Sequence, residues 1–256
     1  MNRTNRLLLA FAVLAVLAPP PCRAAEAHEP ASLPGRVRIA VDGGFWGAKP
    51  SFGDTRQYAE YAETSTVRTT YAVSGAGVGP DLSLQLRLYR GFGVLVGYSR
   101  TSRDESGHFD AQRPHPLYLG RPRSLSGELG GYRYQEGALH ADLALAGARG
   151  RVDWGLFAGV TRFQVEADLL DRLAYDEAYP YDDLSLASAP ARRVKETPTG
   201  FNVGGRLDYR FGRNLGAGVQ LRYSRASVKL RATSDATEAS FNAGGLQAGA
   251  GLRLYF

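Results

Sequence analysis

The chain has 256 residues, 44% apolar and 22% charged, with a formal net charge of +6. That length fits one domain or at most two, and the apolar fraction is too high for a disordered chain. One Cys and four His exclude a disulfide framework and leave little for a metal centre. The basic residues (three Lys, 28 Arg) form no block that would bind nucleic acid.

Residues 1–24 read as a secretory signal. Arg3 and Arg6 precede the apolar run Leu7–Ala18, then Pro19-Pro20-Pro21 and small residues follow. A spanning helix needs about 20 apolar residues, more than this run offers. Cleavage after Ala24 or Ala27 is expected. Cleavage after Ala24 removes Cys22 and lowers the net charge to +3. Residues 25–35 are expected to form a periplasmic linker, and residues 36–256 the folded domain.

From residue 36 onward the dominant signal is alternation with period two. It predicts strands at 36–47, 71–90, 92–103, 126–147, 153–167, 199–211, 215–231 and 241–256. Leu82, Leu84, Leu86 and Leu88 alternate with Ser83, Gln85, Arg87 and Tyr89. Phe201, Val203, Leu207, Tyr209 and Phe211 share one parity against Asn202, Gly204, Arg206, Asp208 and Arg210. Leu246, Ala248, Ala250, Leu252, Leu254 and Phe256 alternate with Gly, Gln, Arg and Tyr. Strand 153–167 is ambiguous. Arg162, Gln164 and Glu166 favour an outward odd set, with a bulge as a way to switch the phase.

Links between these strands alternate in length. Those around Arg90-Gly91, Gly147–Asp153 and Gly212-Arg213-Asn214 are short. Ala48–Thr70, Asp104–Leu125, Leu169–Pro198 and Ala232–Ser240 are long and polar. Short turns at one end and long loops at the other, around an even number of strands, predict an all-β, eight-stranded antiparallel up-and-down transmembrane barrel. Closure satisfies every backbone polar group, as a bilayer demands. The parity opposite the aliphatic residues gives a candidate polar lumen of Arg38, Asp42, Gln85, Arg87, Glu136, His140, Asp142, Arg206, Asp208, Arg210, Gln220, Arg222 and Arg253, to which Arg162 and Glu166 are added. A soluble barrel would have to bury these charges in a dry core.

The final residues Gly251-Leu252-Arg253-Leu254-Tyr255-Phe256 resemble the signal read by the barrel-assembly machinery. Gly251, Leu254 and Phe256 match it, whereas Gly249 stands where a polar residue is usual. The stretch from 36 to 256 resembles the bacterial outer-membrane protein β-barrel domain family, loosely called porin-like. Pro114–Arg123, Gly200–Gly205 and Val219–Val228 carry that likeness. The resemblance implies an outer-membrane location and lipid surroundings, and it implies no catalytic residue and no cofactor.

Chemistry-bearing groups are sparse. Glu136, His140 and Asp142 share a parity, but residues i and i+4 on a strand lie about 13 Å apart, too far for a direct bond. They read as a polar ladder rather than a catalytic group. The link Leu169–Pro198 gathers Asp171, Asp176, Glu177, Asp182 and Asp183 with Tyr175, Tyr179 and Tyr181. It reads as a solvated loop or a partner-contacting one, without the ordered spacing of a calcium site. The expected role is therefore surface interaction through long external loops, with no enzymatic activity. A porin-like passive channel is the alternative, and a soluble periplasmic carrier is the third. Near balance of inward charges argues for cross-paired groups rather than a selectivity ring.

Overall fold

The computed structural model describes residues 35–233 and 236–256. The predicted signal, Cys22, both cleavage positions and all but Gly35 of the linker lie outside the described residues. Among the described residues there are thirteen strands: β1 (Val37–Trp46), β2 (Ser51–Glu60), β3 (Glu63–Val73), β4 (Gly77–Tyr89), β5 (Phe92–Arg113), β6 (Arg123–Arg149), β7 (Val152–Leu170), β8 (Ala174–Glu177), β9 (Leu184–Ser188), β10 (Ala191–Glu196), β11 (Thr199–Arg210), β12 (Leu215–Leu230) and β13 (Ala239–Tyr255).

Eight of them close an antiparallel ring in the order β1-β4-β5-β6-β7-β11-β12-β13 and back to β1. The seam between β1 and β13 runs in unbroken register from Arg38↔Tyr255 to Trp46↔Gln247. Closure leaves no edge in this part of the molecule.

At the end away from the short turns, a second storey rises from the ring. Here β3 takes the place of β4 beside β5, from Thr66↔Gln112 to Val73↔Glu105. β2 pairs with β3 and reaches the β12–β13 connection, where the Thr237 amide donates to the Thr55 carbonyl at 2.9 Å. β10 takes the place of β11 beside β7, from Ala191↔Leu170 to Glu196↔Val165. β8 and β9 form a small separate hairpin.

One strand shows how the storeys differ. Along β5 the odd residues Leu95, Ser99, Thr101, Glu105, Phe109 and Ala111 all point inward. The even residues point outward, and they change character midway: Phe92, Val94, Val96 and Tyr98 give way to Arg100, Ser102, Asp104 and Ser106. β12 does the same, with Leu215, Val219, Leu221 and Tyr223 followed by Arg225, Ser227 and Lys229. Below the change the outer face is apolar; above it the outer face is polar and the interior is a hydrophobic core. That core holds Phe52, Tyr71, Phe109, Tyr134, Phe163, Val165 and Phe241. The Phe52 ring stacks on Phe241 at 4.4 Å and on Tyr71 at 5.2 Å.

Several expectations need correction. The link Ala48–Thr70 is a hairpin of β2 and β3, and the expected strand 71–90 is two strands broken at 74–76. β5 and β6 extend into the expected loop Asp104–Leu125, leaving only 114–122 between them. Their outward faces are polar because water surrounds them, which made strands look like loops. β7 keeps one phase throughout. Trp154, Leu156 and Val160 face outward with Arg162 and Gln164, while Phe157, Phe163 and Val165 face inward. Arg162 and Glu166 therefore do not belong to the lumen: Arg162 is exposed on the outer face of the upper storey, and Glu166 pairs there with Lys195 at 3.4 Å. The phase slip lies in β6, at Gly130-Gly131. Below it Tyr132, Tyr134 and Glu136 point inward; above it Leu129 and Arg123 do. Gly131 has φ +78°, a conformation that costs a side-chain-bearing residue roughly 1–2 kcal/mol.

Candidate functional site

The lower storey encloses a polar lumen. Near the short turns, Asp208 gathers three guanidinium groups. Arg38 Nε and Nη2 donate to it at 2.9 and 3.1 Å, Arg206 Nη1 at 2.7 Å and Arg253 Nε at 2.7 Å. Arg253 also donates across the seam to Asp42. One layer up, Asp81 receives Arg222 Nη1 at 3.2 Å and Gln220 Nε2 at 3.2 Å, together with Gln247. Arg222 is fully buried, and its guanidinium lies 5.2 Å from the Phe157 ring centroid. Arg210 is half-buried at the short-turn mouth, 3.1 Å from Asp153. Arg87 is half-buried and Gln85 buried on the same inner face.

Asp81 is the lumen residue that the sequence reading missed. Its parity matches Ser83 and Gln85, but Gly77–Pro80 before it obscured where the ring strand begins.

Glu136, His140 and Asp142 do not act on one another. Glu136 accepts from Tyr134 Oη at 2.8 Å, and Asp142 accepts from Asn202 Nδ2 at 2.7 Å. His140 Nδ1 lies 2.9 Å from Thr161 Oγ1, and its Nε2 lies 3.2 Å from Ser99 Oγ. His140 is fully buried, so the chain of hydroxyls and imidazole satisfies itself inside the barrel wall.

The three terminal residues singled out by the assembly motif sit at the seam. Phe256 exchanges backbone hydrogen bonds with Val37 at 2.9 and 3.0 Å, and its ring is exposed on the outer face with Leu254. Gly251 faces Asp42, and a Cβ there would lie 2.0 Å from the Val41 carbonyl oxygen.

The far end of the upper storey carries a second constellation, a cap that joins three connections. Buried Arg113 donates to Glu60 at 2.9 Å. Its guanidinium lies 5.1 Å from the Tyr58 ring and 4.3 Å from the Tyr175 ring. Tyr175 donates to Glu60 as well. Buried Arg123 donates to Glu177 at 2.7 Å, to the Tyr181 carbonyl at 2.9 Å and to the Pro114 carbonyl at 2.8 Å. Tyr61 donates to Glu177 at 3.0 Å, and the Gly120 amide donates to Glu63 at 2.6 Å. Arg121 pairs with Asp182 at 3.1 Å. In the 169–198 segment Asp171, Glu177 and Asp182 are each taken by a different arginine, Arg192, Arg123 and Arg121; among the described residues no group of three carboxylate, imidazole or thiol side chains could hold a metal ion.

Burial disfavours the Glu60 carboxylate, but the hydrogen bonds from Tyr175 and Arg113 outweigh it and hold its pKa below the usual range. The Tyr61 hydroxyl is raised by its bond to Glu177. Among the residues the cap leaves in solvent are Leu117, Tyr118, Leu119 and Tyr179, Leu119 and Tyr179 80% exposed, beside exposed Arg121 and Asp182. Deeper in the same storey Glu105 is buried with neither carboxylate oxygen hydrogen-bonded. Burial first, and repulsion from Asp168 second, push its pKa up to about 8.

The outer face of the ring completes the picture. Val41, Phe45, Leu84, Val96, Leu143, Leu156, Leu207, Leu221 and Leu252 are all exposed, and they lie on all eight strands of the ring. A continuous apolar belt of this extent has no place in water, and the nine residues from Leu215 to Tyr223 match the span of a tilted membrane strand. The ring is a membrane-spanning barrel with its polar groups turned inward.

No protein-family model matches the chain, and comparison with curated proteins finds no match. Among solved structures, the outer membrane protein OprG from Pseudomonas aeruginosa aligns over 87% of this chain and 97% of its own, with 11% identity and a TM-score of 0.51. Neisserial surface protein A aligns over 88% and 100%, with 11% identity and a TM-score of 0.43. The outer membrane protease OmpT from Escherichia coli aligns over 91% and 99%, with 12% identity and a TM-score of 0.43. The chain has the fold of the outer-membrane β-barrels.

Proposed function

We propose that the protein is an integral bacterial outer-membrane barrel that presents its cap to the medium and binds a partner protein there. In this reading residues 1–24 are removed on export, and Gly251, Leu254 and Phe256 are read by the barrel-assembly machinery. The observation that carries it is the tying of three connections into one surface by Arg113, Arg121 and Arg123. Ordering entropy is met in advance, and Leu117, Tyr118, Leu119 and Tyr179 are left exposed beside Arg121. Tyrosine and arginine around an apolar centre are the groups that dominate protein–protein contacts.

The lumen supports this role better than passive transport. An eight-stranded ring is just wide enough for side chains to fill it. Here the filling is a set of cross-paired charges below and an aromatic core above. No catalytic role is assigned to the lumen or the cap.

The test uses intact cells and a planar bilayer. Chymotrypsin added outside should cut within Leu117–Leu119, and the purified barrel should show no steady porin-sized conductance. Cells displaying Leu119→Ser/Tyr179→Ser should adhere less to protein-coated surfaces than cells displaying the native chain. Steady conductance, or adhesion unchanged by the double substitution, would refute this role. Deleting Phe256 should leave less assembled barrel in the membrane.

A further inference from the structure

Immediately above the apolar belt, the outward residues on several strands are cationic. Arg100 follows Tyr98 on β5, Arg162 follows Val160 on β7, and Arg225 follows Tyr223 on β12. Between β5 and β7 this level is hollowed. A groove of about 230 Å³ runs over β6, with Arg100 and Arg162 on its two sides and Tyr98 and Leu139 on its membrane side. The floor is Gly137, which pairs with Arg100 on one side and Gln164 on the other. A Cβ on Gly137 would meet nothing closer than 3.9 Å, so the hollow is open space rather than packed wall.

The charge of the groove is unbalanced. Arg100 has Gln135 as its polar partner at 3.2 Å, and among the described residues neither Arg100 nor Arg162 pairs with a carboxylate. The one acidic residue at the rim, Glu166, is already held by Lys195 at 3.4 Å and Gln164 at 3.0 Å. Two guanidinium groups without a carboxylate partner facing one hollow are matched by a tetrahedral oxyanion, which offers paired acceptors to each planar fork.

We propose that this groove seats a phosphate carried on the headgroup of an outer-leaflet lipid. The choice of a lipid-borne phosphate follows from position. Tyr98 and Leu139 continue the apolar belt into the groove, so a ligand there has its chains against the belt and its headgroup against the two arginines. This inference rests on the membrane placement of the ring and, for the choice of leaflet, on the outward orientation proposed above; it uses no residue of the cap.

The experiment takes the purified, folded chain in zwitterionic micelles and adds phosphatidic acid, the matching diacylglycerol, or inorganic phosphate. Bound lipid is counted by native mass spectrometry, and the heat-dependent gel shift checks that each variant is folded. Phosphatidic acid should bind at least about tenfold more tightly than diacylglycerol, as expected for a hydrogen-bonded charge pair. Arg100→Gln/Arg162→Gln should lose that preference. Gly137→Leu, which fills the hollow without changing charge, should lose it too. Arg225→Gln, three strands away around the ring, should keep it. The proposal is overturned if diacylglycerol binds equally, if both groove variants bind as the native chain does, or if micromolar inorganic phosphate displaces the lipid, which would mark a free-anion site.

Discussion

The two storeys obey one alternation and answer to opposite surroundings. In the ring, Arg222 and Arg253 are among the most deeply buried side chains, while Leu143 is three-quarters exposed. Higher up the same wall, Phe109 and Val165 are buried and Asp104 and Ser106 face out. The ring owes its stability to closed backbone pairing and internally matched charges, because lipid gives its apolar belt no reason to hide. The upper storey owes its stability to removing apolar surface from water. Damage to the two should therefore look different.

The largest effect is expected in the ring. Asp208→Leu leaves Arg38 and Arg206 buried without their acceptor, which should cost about 4 kcal/mol. The check is the temperature at which the folded band disappears on a gel. Arg206→Leu removes one of the three donors and should cost less, and Arg121→Leu, on the exposed cap, should stay within about 0.5 kcal/mol.

In the upper storey, Phe109→Ala should cost about 3 kcal/mol through the cavity it opens. The signature differs from that of Asp208→Leu. Protease should cut β5 above residue 100 while the ring keeps its heat-dependent gel mobility. If both are lost together, the storeys form one cooperative unit and the contrast is weaker than drawn.

Glu105 gives the upper storey a pH dependence. Its pKa is about 8 when folded against an ordinary value of 4.5, so the folded state holds the extra proton between those values. Stability should fall as pH rises from about 5 to 8 and level off above. Glu105→Gln should flatten the curve. A native chain that gains stability over this range would show that Glu105 is charged in the fold.

A smaller loss is expected at the phase slip. Gly131→Ala forces a Cβ onto a left-handed backbone with open space around it, and should cost about 1 kcal/mol. Urea unfolding of the two chains measures the difference.

The ring was legible where the outer face is aliphatic. Leu82–Leu88, Phe201–Phe211 and Leu246–Phe256 announce both strand and inward set, because lipid leaves one parity uniformly apolar. The upper strands were not legible by that rule. In Gly107-His108-Phe109-Asp110-Ala111-Gln112-Arg113 the apolar parity is mixed with Gly and Arg, and the other parity is as polar as a loop. The phase of β7 is ambiguous in sequence because Arg162, Gln164 and Glu166 share the parity of Trp154, Leu156 and Val160 and look like lumen residues. They sit above the belt, where an outward charge costs nothing. The cap was beyond reach in sequence, since Arg113, Glu60 and Tyr175 meet across 53 and 115 residues of chain.

The unbroken inward parity of β5 has a consequence for how such a protein can change over generations. The direction in which its residues point does not record where the membrane stops; on the outer face the step from Tyr98 to Arg100, and its counterparts on β7 and β12, does so. Exchanging a few of these outward residues would re-seat the molecule higher or lower, or fit it to a thicker or thinner bilayer, without disturbing a single buried pair. Draught, in the nautical sense, is written on the hull alone, so a lineage can adjust it while the cargo inside stays as it is.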